Sequence, residues 1–412
     1  MLLSVEEAQG MILKQIKPHG RVINLNLTAA YGHLLSRDVR ADHDIPPFTN
    51  SAMDGYAVLS DDVVRATASH PVHLKVIGTI RAGHPAGQSI QHGQCYKVMT
   101  GAPLPPGADA VVPVESTQSL PDASSVAILE ASPPGRYMRG RGEDMPKNAV
   151  VLTRGTPITA PVMGTLATVG VPSVAVADPP KVAILATGDE LKDLDQPLDP
   201  GTIRNSNSYA LYGAIKEAGG MPQLYPSAPD DPQAIRALFQ EAAAECDLLV
   251  SSGGVSVGDF DFVKPVIESL GELSLWRVNL KPGKPLAFGE VLGVPVLGLP
   301  GNPVSSLVTF ELFVRPAIRR LIGDSQWSRL HLSLPLLEDF ETRESRRQYV
   351  RSRLVLKDGA LCLWPHANQG SAVQSSWQDV AALMIVPENT GPYRKGDLLQ
   401  TLMLSLDPIM QP

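Results

Sequence analysis

The sequence predicts a multidomain α/β protein in which an α/β domain with a mostly parallel sheet lies between two β-rich regions. Between residues 181 and 321, short apolar runs alternate with segments of helical period, which is typical of a parallel sheet covered by helices on both faces. Residues 42–151 are rich in proline and glycine and contain short β-type runs. After Gly323 the chain shows no strong helical period. Its 412 residues suit about two to four domains.

The elements of the α/β region follow from its apolar runs and its helix-capping residues. Asp231 precedes Pro232, a pair that predicts an N-cap followed by proline at the first helical position. A helix over 206–218 is expected to stop at the glycine pair that follows it. The strands predicted here are 182–186, 248–250, 275–278 and 294–299. The other helices predicted here begin at 231 and span 261–270 and 304–321.

Two helices are predicted before the first β-rich region. Ser4 and Glu7 have the spacing of a capping box, in which each side chain accepts a hydrogen bond from the other residue's backbone N–H. Apolar residues continue from there at helical spacing as far as Lys17, so a helix is expected over this stretch. A second, shorter helix is predicted over 27–37.

Composition and charge exclude several classes of function. The net charge of −7 argues against a general nucleic-acid or membrane-surface role, because both need a basic face. The three cysteines are far apart and form no CxxC pair, so neither a zinc site nor a disulfide framework is expected. The N-terminus lacks a basic segment followed by an apolar run, and no stretch approaches the roughly 18 apolar residues of a membrane span. A cytoplasmic protein is expected.

Polar, glycine-rich segments follow four of the predicted strands. In open α/β sheets, ligands bind outside the carboxyl ends of the strands. These segments carry hydroxyl groups, a carboxylate and two lysines, so they indicate a ligand site rather than glycine turns that serve helix packing alone. The segments are 187–190, 251–259, 281–285 and 300–303.

The residue types of these segments suit phosphate and oxyanion binding. Glycines let backbone N–H groups approach an anion, and helix N-termini add partial positive charge. Lys281 and Lys284 add full charges, unless both are solvated surface residues. Carboxylates beside a phosphate are unfavourable without a cation, so Mg²⁺ is expected to bridge the two, although each aspartate could instead cap a helix. The carboxylates on these neighbouring loops are Glu190, Asp230, Asp231, Asp259 and Asp261.

The common nucleotide and hydrolase motifs fit less well. The glycine-rich segment over 253–258 has no following Lys-Ser/Thr pair, and no GxGxxG follows a strand. Residues 254–258 match GxSxG, which leaves a serine hydrolase using Ser256 as an alternative. That motif needs its serine at a sharp strand-to-helix turn, whereas residues 251–254 intervene after the strand here.

Three loops of the first β-rich region also have the composition of functional loops. They combine turn-forming residues, small polar residues and charges with little apolar period, as binding and catalytic loops often do. A rigid linker between domains would explain the prolines of the first loop equally well, and an exposed Arg/Gly turn would explain the third. The loops are 46–57, 100–103 and 139–144.

Together these segments resemble the molybdopterin molybdenumtransferase family of the MoeA type, which also includes the C-terminal domain of gephyrin. Eight segments occur in the family's order, which is far more specific than any one of them, and the C-terminal match rests mainly on Gly370 and Ser371. The segments are PPFTNSAMDGYA (46–57), TGAPLPPGADAVV (100–112), RGED (141–144), ATGDEL (186–191), SNSY (206–209), SSGGVSVGDFD (251–261), KPGKPLAFG (281–289) and GLPGNPVS (298–305).

The resemblance implies an elongated homodimer of multidomain subunits. The active cleft is expected between the α/β molybdopterin-binding domain of one subunit and the β-rich domain of the other. The implied domains are a mixed N-terminal linker and dimerisation domain (1–45 with 145–178), a β-rich inserted domain (46–144), the α/β domain (179–324) and a C-terminal β-barrel-like domain (325–412).

The activity implied by the resemblance is that of a molybdopterin molybdotransferase. It inserts molybdate into adenylylated molybdopterin, releases AMP and depends on Mg²⁺. Molybdopterin adenylyltransferase and downstream cofactor-processing proteins are implied as candidate partners. A non-catalytic molybdopterin-binding scaffold is the second class, because gephyrin's related domain also clusters receptors.

The resemblance also assigns roles to residues of this chain. Asp54 is expected to orient the attack on phosphorus, or to act as a base if burial raises its pKa. The expected catalytic residues are Asp54, Thr100, Asp144 and Glu190. The expected substrate-binding residues are Arg139, Gly254, Ser256, Gly258, Lys281, Lys284, Pro300, Pro303 and Ser371. The expected Mg²⁺ ligands are Glu190, Asp230 and Asp261.

Overall fold

The computed structural model of the protein describes residues 2–120, 124–253, 262–405 and the short strand at 409–410. The chain forms two compact units. The first unit consists of residues 1–23 and 176–412, and the second consists of residues 24–175. Within the described ranges, no helix combines the length and the apolar character needed to cross a membrane.

Strands dominate both units, and most of the helices belong to the first unit. In chain order the strands β1 to β28 are Leu2–Leu3, Val22–Asn26, Val39–Arg40, Asn50–Ser51, Gly55–Val58, Val72–Ile80, Gln94–Val98, Ala110–Pro113, Thr117–Ser119, Ser125–Ile128, Met138–Arg139, Val150–Leu152, Ser173–Ala177, Lys181–Ala186, Leu191–Lys192, Ile203–Arg204, Met221–Leu224, Leu248–Ser252, Gly271–Val278, Leu280–Lys281, Pro285–Val291, Val294–Leu299, His331–Pro335, Arg347–Lys357, Ala360–Pro365, Ala382–Val386, Leu398–Met403 and Ile409–Met410. The α-helices α1 to α8 are Val5–Gln15, Ser60–Val63, Ala160–Thr168, Ser206–Glu217, Pro232–Glu245, Val263–Leu270, Pro303–Thr309 and Arg315–Ile322.

The first unit contains the predicted α/β sheet, with seven strands in the order β1-β19-β21-β22-β18-β14-β17. Alternate residues of β14 face opposite sides. Val182 and Ile184 pack in one apolar cluster with α4 and α8, whereas Ala183 and Leu185 pack in another with α5 and α6. Burial on both faces explains why this strand is apolar without interruption. The prediction of a sheet covered on both faces is confirmed.

One strand departs from the predicted parallel arrangement. β21 (Pro285–Val291) was not predicted, and it pairs antiparallel with both of its neighbours, β19 and β22. The chain turns back at 279–284 and pairs directly with the strand it has just left, so no crossover helix separates the two. Because β21 is antiparallel to both neighbours, β19 and β22 run in the same direction. The pairs β14 with β17, β14 with β18 and β18 with β22 are parallel.

The predicted helices of the first unit are confirmed with small changes in their bounds. Ser4 and Glu7 form the predicted capping box at the start of α1. The helix predicted over 304–321 runs through α7, a π-helical turn over Phe310–Val314 and α8. The helix predicted over 261–270 is observed as α6 from Val263, and residue 261 lies outside the described ranges.

The second helix predicted for the N-terminal region, over 27–37, is wrong. Only a 3-10 turn over Leu27–Ala29 forms there, with its N-terminus capped by Asn26. Gly32 then adopts a φ of 81°, outside the helical region, and Leu34 bridges to Pro157. The apolar spacing therefore reflects a folded loop rather than a helix.

The C-terminal part of the first unit is a closed β structure. The sheet runs β25-β24-β26-β27-β23, with β20 and β28 also paired to β24. Just after β23, Leu336 bridges to Leu363 of β25, and the N–H of Leu337 donates to the Leu363 carbonyl at 2.8 Å. This link joins the two ends of the sheet, so the barrel-like expectation is confirmed.

The second unit is built around a six-stranded sheet in the order β8-β5-β7-β6-β10-β9. Apolar side chains bury both of its faces, with Val58 and Val112 in one cluster and Ala57 and Val111 in another. Two short antiparallel pairs, β4 with β11 and β3 with β12, lie beside it in the same unit. This region is β-rich, as the sequence predicted.

The cap of α5 gives a direct test of these assignments. Asp231 accepts hydrogen bonds from the N–H groups of Gln233 (3.0 Å) and Ala234 (2.8 Å). We expect Asp231→Ala to lower the free energy of unfolding by about 0.5–2 kcal/mol, because two helix N–H groups lose their acceptor. Asp230→Ala is the matched control, because the Asp230 carboxylate accepts no hydrogen bond within the described ranges. Equal destabilisation by both variants, in urea unfolding, would contradict the assigned cap.

Candidate active site

The predicted loops do lie at one edge of the α/β sheet. β14, β18, β19 and β22 all run in the same direction, so their carboxyl ends meet at that edge. The segments that follow them are the glycine-rich and lysine-containing loops singled out in the sequence. The topology therefore brings together the described parts of four segments that are widely separated along the chain, with 251–253 representing the second of them.

A cavity of about 890 Å³ opens at this edge, between the strand-end loops and the barrel of the same unit. Four residues predicted as site residues line it: Glu190, Lys281, Pro300 and Ser371. The strand-end loops also contribute Gly253, Pro282, Gly283, Pro285, Gly301, Asn302 and Ser305. The barrel contributes Arg346, Gln348, Tyr349, Val350, Gln369 and Gly370.

Backbone glycines bring two of the strand-end loops into contact. A Cβ atom on Gly301 would lie 3.7 Å from the Cα of Gly253, so the two loops approach closely. Asn207 fixes them by donating to the Ser252 hydroxyl (2.8 Å) and to the Gly301 carbonyl (2.7 Å). A smaller cavity of about 280 Å³ adjoins this contact, and the predicted residue Pro303 lines it.

The two predicted lysines are not equivalent. Lys281 lines the large cavity and forms an ion pair with Glu344, and hydrogen bonding from Lys281 holds the pKa of Glu344 below its usual value. Lys284 has an exposed side chain and lines neither strand-end cavity. Arg346, which the sequence reasoning missed, is the second cation in the cavity wall and donates to the Leu280 carbonyl at 3.1 Å.

Ser371 is held against the start of α7. Its carbonyl accepts from the N–H of Val304 (3.0 Å), and its hydroxyl accepts from the Asn302 amide (3.1 Å). Behind this loop, Arg351 is almost fully buried and donates to the carbonyls of Gly370 (3.1 Å) and Asn368 (2.9 Å). Desolvation lowers the pKa of Arg351 to about 10.

Sequence reasoning missed Arg346, Arg351 and Gln369, all of which shape this side of the cavity. The signal available was the arginine-rich stretch over 343–353, which carries more positive charge than its surroundings. Within β24, Arg351 is almost fully buried, and its guanidinium supports the 368–371 loop.

The carboxylates predicted as metal ligands are only partly brought together. Glu190 is exposed at the large cavity, and its carboxylate makes no hydrogen bond or ion pair within the described ranges. Gly188, at a φ of 143°, leaves room for this carboxylate, because a Cβ there would clash with it. Asp230 lines neither strand-end cavity. No group of three potential metal-ligating side chains occurs among the described residues.

Several predicted site residues cannot be placed. Gly254, Ser256, Gly258, Asp259 and Asp261 lie outside the described residues. Their expected roles in phosphate and metal binding, and the serine-hydrolase alternative, therefore stay predictions.

The second unit carries the remaining predicted residues, among which Asp54 and Thr100 are in direct contact. One Asp54 carboxylate oxygen accepts from the backbone N–H (2.6 Å) and the hydroxyl (2.9 Å) of Thr100. These hydrogen bonds lower the pKa of Asp54, and its side chain is exposed. Because the pKa of Asp54 is lowered, the condition set for its alternative role as a base is not met, and its orienting role stays a prediction.

Arg139 and Asp144 complete the predicted set in the second unit. Arg139 lies in β11, opposite Asn50 of β4, and Asp144 donates through its backbone N–H to the Ile45 carbonyl at 3.0 Å. Both side chains are exposed, and neither makes a hydrogen bond or ion pair to the described part of the chain. Both are therefore free to contact a ligand.

The three cysteines line neither of the strand-end cavities. Cys95, Cys246 and Cys362 are all buried. Burial raises the pKa of the Cys95 thiol to about 12 and also raises that of Cys246. A thiol that stays protonated is a poor nucleophile and a poor metal ligand.

The fold and the cavity together define an α/β protein with a cation-lined cavity at the carboxyl ends of its strands, where open α/β sheets bind ligands. Models of known protein families match most of the chain. Residues 3–170 match the model described as "MoeA N-terminal region (domain I and II)", residues 183–320 match "Probable molybdopterin binding domain", and residues 333–404 match "MoeA C-terminal region (domain IV)". The chain belongs to the MoeA family.

Individual relatives cover most of the chain. The molybdopterin molybdenumtransferase 2 of Mycobacterium tuberculosis is 38% identical over 87% of this chain and 89% of the relative. The molybdopterin molybdenumtransferase of Bacillus subtilis is 36% identical over 90% of this chain and 87% of the relative. The crystal structure of the molybdopterin biosynthesis MoeA protein from Pyrococcus horikoshii matches with a TM-score of 0.85 and 29% identity, over 98% of this chain and all (100%) of that one.

The charged residues that line the cavity predict how its affinity for an anion changes on substitution. We expect Lys281→Ala to weaken the binding of inorganic pyrophosphate by about ten- to hundredfold, because a charge-assisted hydrogen bond is lost and Glu344 is left unpaired. Glu344→Gln should have the opposite effect, because it frees Lys281 for the anion. Lys357→Ala, at the far end of β24, is the matched control.

Isothermal titration calorimetry measures these affinities directly. A change of less than about twofold in the dissociation constant for Lys281→Ala would show that this lysine is a solvated surface charge.

Proposed function

We propose that this chain is a molybdopterin molybdotransferase, which inserts molybdate into adenylylated molybdopterin and releases AMP. Membership of the MoeA family gives it a role in molybdenum cofactor biosynthesis as a transferase. The observation that carries the proposal is the strand-end cavity, where Lys281, Arg346 and the Ser371 loop surround a space of about 890 Å³ beside the carboxylate of Glu190. A multiply charged phosphate ester fits such a wall of cations and turn N–H groups.

The two cations of the cavity are proposed to bind the phosphate groups of the substrate. Lys281 and Arg346 both line the strand-end cavity, where they can hold the phosphoanhydride that links AMP to the pterin. Turns at Gly253 and Gly301 expose backbone close to it, and the loop of Gly254 and Gly258 is expected to add N–H donors. The Asn302 and Ser371 side chains can donate to the oxygens of molybdate, which is a substrate here.

The reaction needs no nucleophile from the protein. The two thiol sulfurs of the pterin form bonds to molybdenum and displace two oxygens of molybdate, which leave with the thiol protons as hydroxide. One hydroxide attacks phosphorus, the phosphoanhydride P–O bond breaks, and AMP leaves with the negative charge that develops on its oxygen. Lys281 and Arg346 are placed to stabilise that charge. The molybdenum ends on the two sulfurs of the pterin, which is consistent with the burial of all three cysteines of the protein.

Magnesium is the proposed cofactor. Mg²⁺ sites beside substrate phosphates commonly use only one or two protein carboxylates, so the exposed carboxylate of Glu190 fits that requirement. When bound, Mg²⁺ would neutralise charge on the phosphates. Asp230 and Asp261 remain proposed additional ligands.

Asp54 is proposed to act as an ionised group rather than as a base. Its lowered pKa keeps it negatively charged at neutral pH, and Thr100 occupies one of its oxygens. The other oxygen is left to orient a substrate donor. Arg139 and Asp144 are proposed to contact the substrate from the same unit.

The assembly is part of the proposal. We infer a cytoplasmic homodimer whose active cleft combines the Asp54 loop of one subunit with the Glu190 loop of the other. The four domains proposed from the sequence, 1–45 with 145–178, 46–144, 179–324 and 325–412, would supply this arrangement. A molybdopterin adenylyltransferase would supply the substrate, and downstream cofactor-processing proteins would receive the product.

Reconstitution with molybdate, Mg²⁺ and adenylylated molybdopterin tests the proposed roles. We expect Asp54→Asn and Glu190→Gln each to abolish molybdenum insertion with no change in melting temperature, because both side chains are exposed and neither fills a core. Glu217→Gln, at the exposed end of α4, is the control and should keep full activity. Near-normal insertion by both variants would instead favour a non-catalytic molybdopterin-binding scaffold.

Sharing of the site between subunits has its own test. When Asp54→Asn and Glu190→Gln chains are co-expressed with two different affinity tags, the purified mixed dimer should regain about half of one dimer's activity, since one of its two clefts is intact. A mixed dimer no more active than either parent would place each site within a single subunit.

A further inference from the structure

A smaller cavity, of about 170 Å³, lies between α1, the π-helical turn, α8 and the barrel of the first unit. It shares Tyr349 with the strand-end cavity and no other lining residue. Exposed residues at Glu6, Ser328 and His331 connect it to solvent. The proposed function does not use this cavity.

Both carboxylates that line the cavity are already neutralised. Glu6 forms an ion pair with Arg347. Glu311 accepts two hydrogen bonds from Arg329, from Nε at 2.9 Å and from Nη2 at 3.0 Å. Arg347 also pairs with Glu388. Neither cavity carboxylate forms an ion pair with a further cation among the described residues.

Arg315 is the cation that remains. Its Nη1 donates to the Trp327 carbonyl at 2.8 Å, but no carboxylate lies within ion-pair distance among the residues the structure describes. Its Nε is buried and has no hydrogen-bond acceptor. Burial, and next the nearby charge of Arg329, lower the pKa of Arg315 to about 10. Leaving a buried N–H of a charged group without an acceptor is unfavourable, which indicates a missing acceptor.

The other residues that line this cavity limit the class of ligand that can fit it. The apolar side chains of Leu312, Trp327, Ile385 and Leu402 line the same cavity, together with the polar side chains of Gln9, Ser328 and His331. An inorganic oxyanion prefers polar donors on all sides, whereas a carboxylate attached to a short hydrocarbon presents one polar end and one apolar end. The single unpaired guanidinium and the apolar walls match the second kind.

We propose that this cavity binds a small organic monocarboxylate, whose oxygens accept hydrogen bonds from Arg315 and whose hydrocarbon part packs against Leu312 and Leu402. The π-helical turn over Phe310–Val314 immediately precedes Arg315, and single π-helical turns are frequent at functional sites. The site is independent of the strand-end cavity and of the reaction proposed there.

Calorimetric titration with butyrate, using the full-length protein, tests the site. We expect butyrate to bind the wild-type protein and the Lys281→Ala variant equally well, because the strand-end cavity takes no part. Arg315→Gln should weaken binding by about ten- to hundredfold, and Arg315→Lys should weaken it less because the charge is kept. Arg320→Gln, exposed on the same helix, is the matched control and should bind like the wild type.

Three outcomes would overturn the proposal. The first is no binding of butyrate to the wild-type protein at concentrations up to about 50 mM, which corresponds to less than about 2 kcal/mol of binding free energy. The second is equal binding by wild type and by both Arg315 variants, with melting temperatures showing that they are folded. The third is binding of sulfate without binding of butyrate, which would make the cavity an inorganic oxyanion site.

Discussion

The strand-end cavity depends on one contact, the attachment of the barrel's 368–371 loop to the start of α7. The Ser371 carbonyl accepts from the Val304 N–H, and the Asn302 amide reaches the Ser371 hydroxyl. Without this contact, the loops at the edge of the sheet would be exposed to water. With it, the sheet and the barrel enclose a common space in which charges interact more strongly than in bulk solvent.

The buried guanidinium of Arg351 supports that contact from behind. It has no carboxylate partner within the described ranges and donates instead to the carbonyls of Asn368 and Gly370. Fixing a loop by a buried charge is costly in desolvation, but it orients Ser371 without placing a negative charge near an anionic ligand. The overall charge of −7 is therefore compatible with a cavity whose walls carry Lys281 and Arg346.

Sequence periodicity predicted the α/β sheet because burial on both faces imposes apolar runs, and Asp231 and Ser4 marked helix starts because their side chains cap N–H groups. It missed β21, since a strand that folds straight back onto its neighbour leaves no crossover to detect. For the site, loops after strands predicted Glu190, Lys281 and Pro300, which line the strand-end cavity, whereas Ser371 came only from the family resemblance. Arg346 and Arg351 were missed because only tertiary folding brings the barrel to the sheet edge.

In the proposed mechanism, molybdate insertion and AMP release are one coupled reaction. It is tested most directly by a single turnover with adenylylated molybdopterin, measuring AMP and protein-bound molybdenum together by chromatography and native mass spectrometry. If the two steps are coupled, AMP appears only when molybdate is added, in equal amount to the molybdenum incorporated into the pterin. Release of AMP at the same rate without molybdate, or incorporation of molybdenum while the adenylylated pterin stays intact, would contradict it.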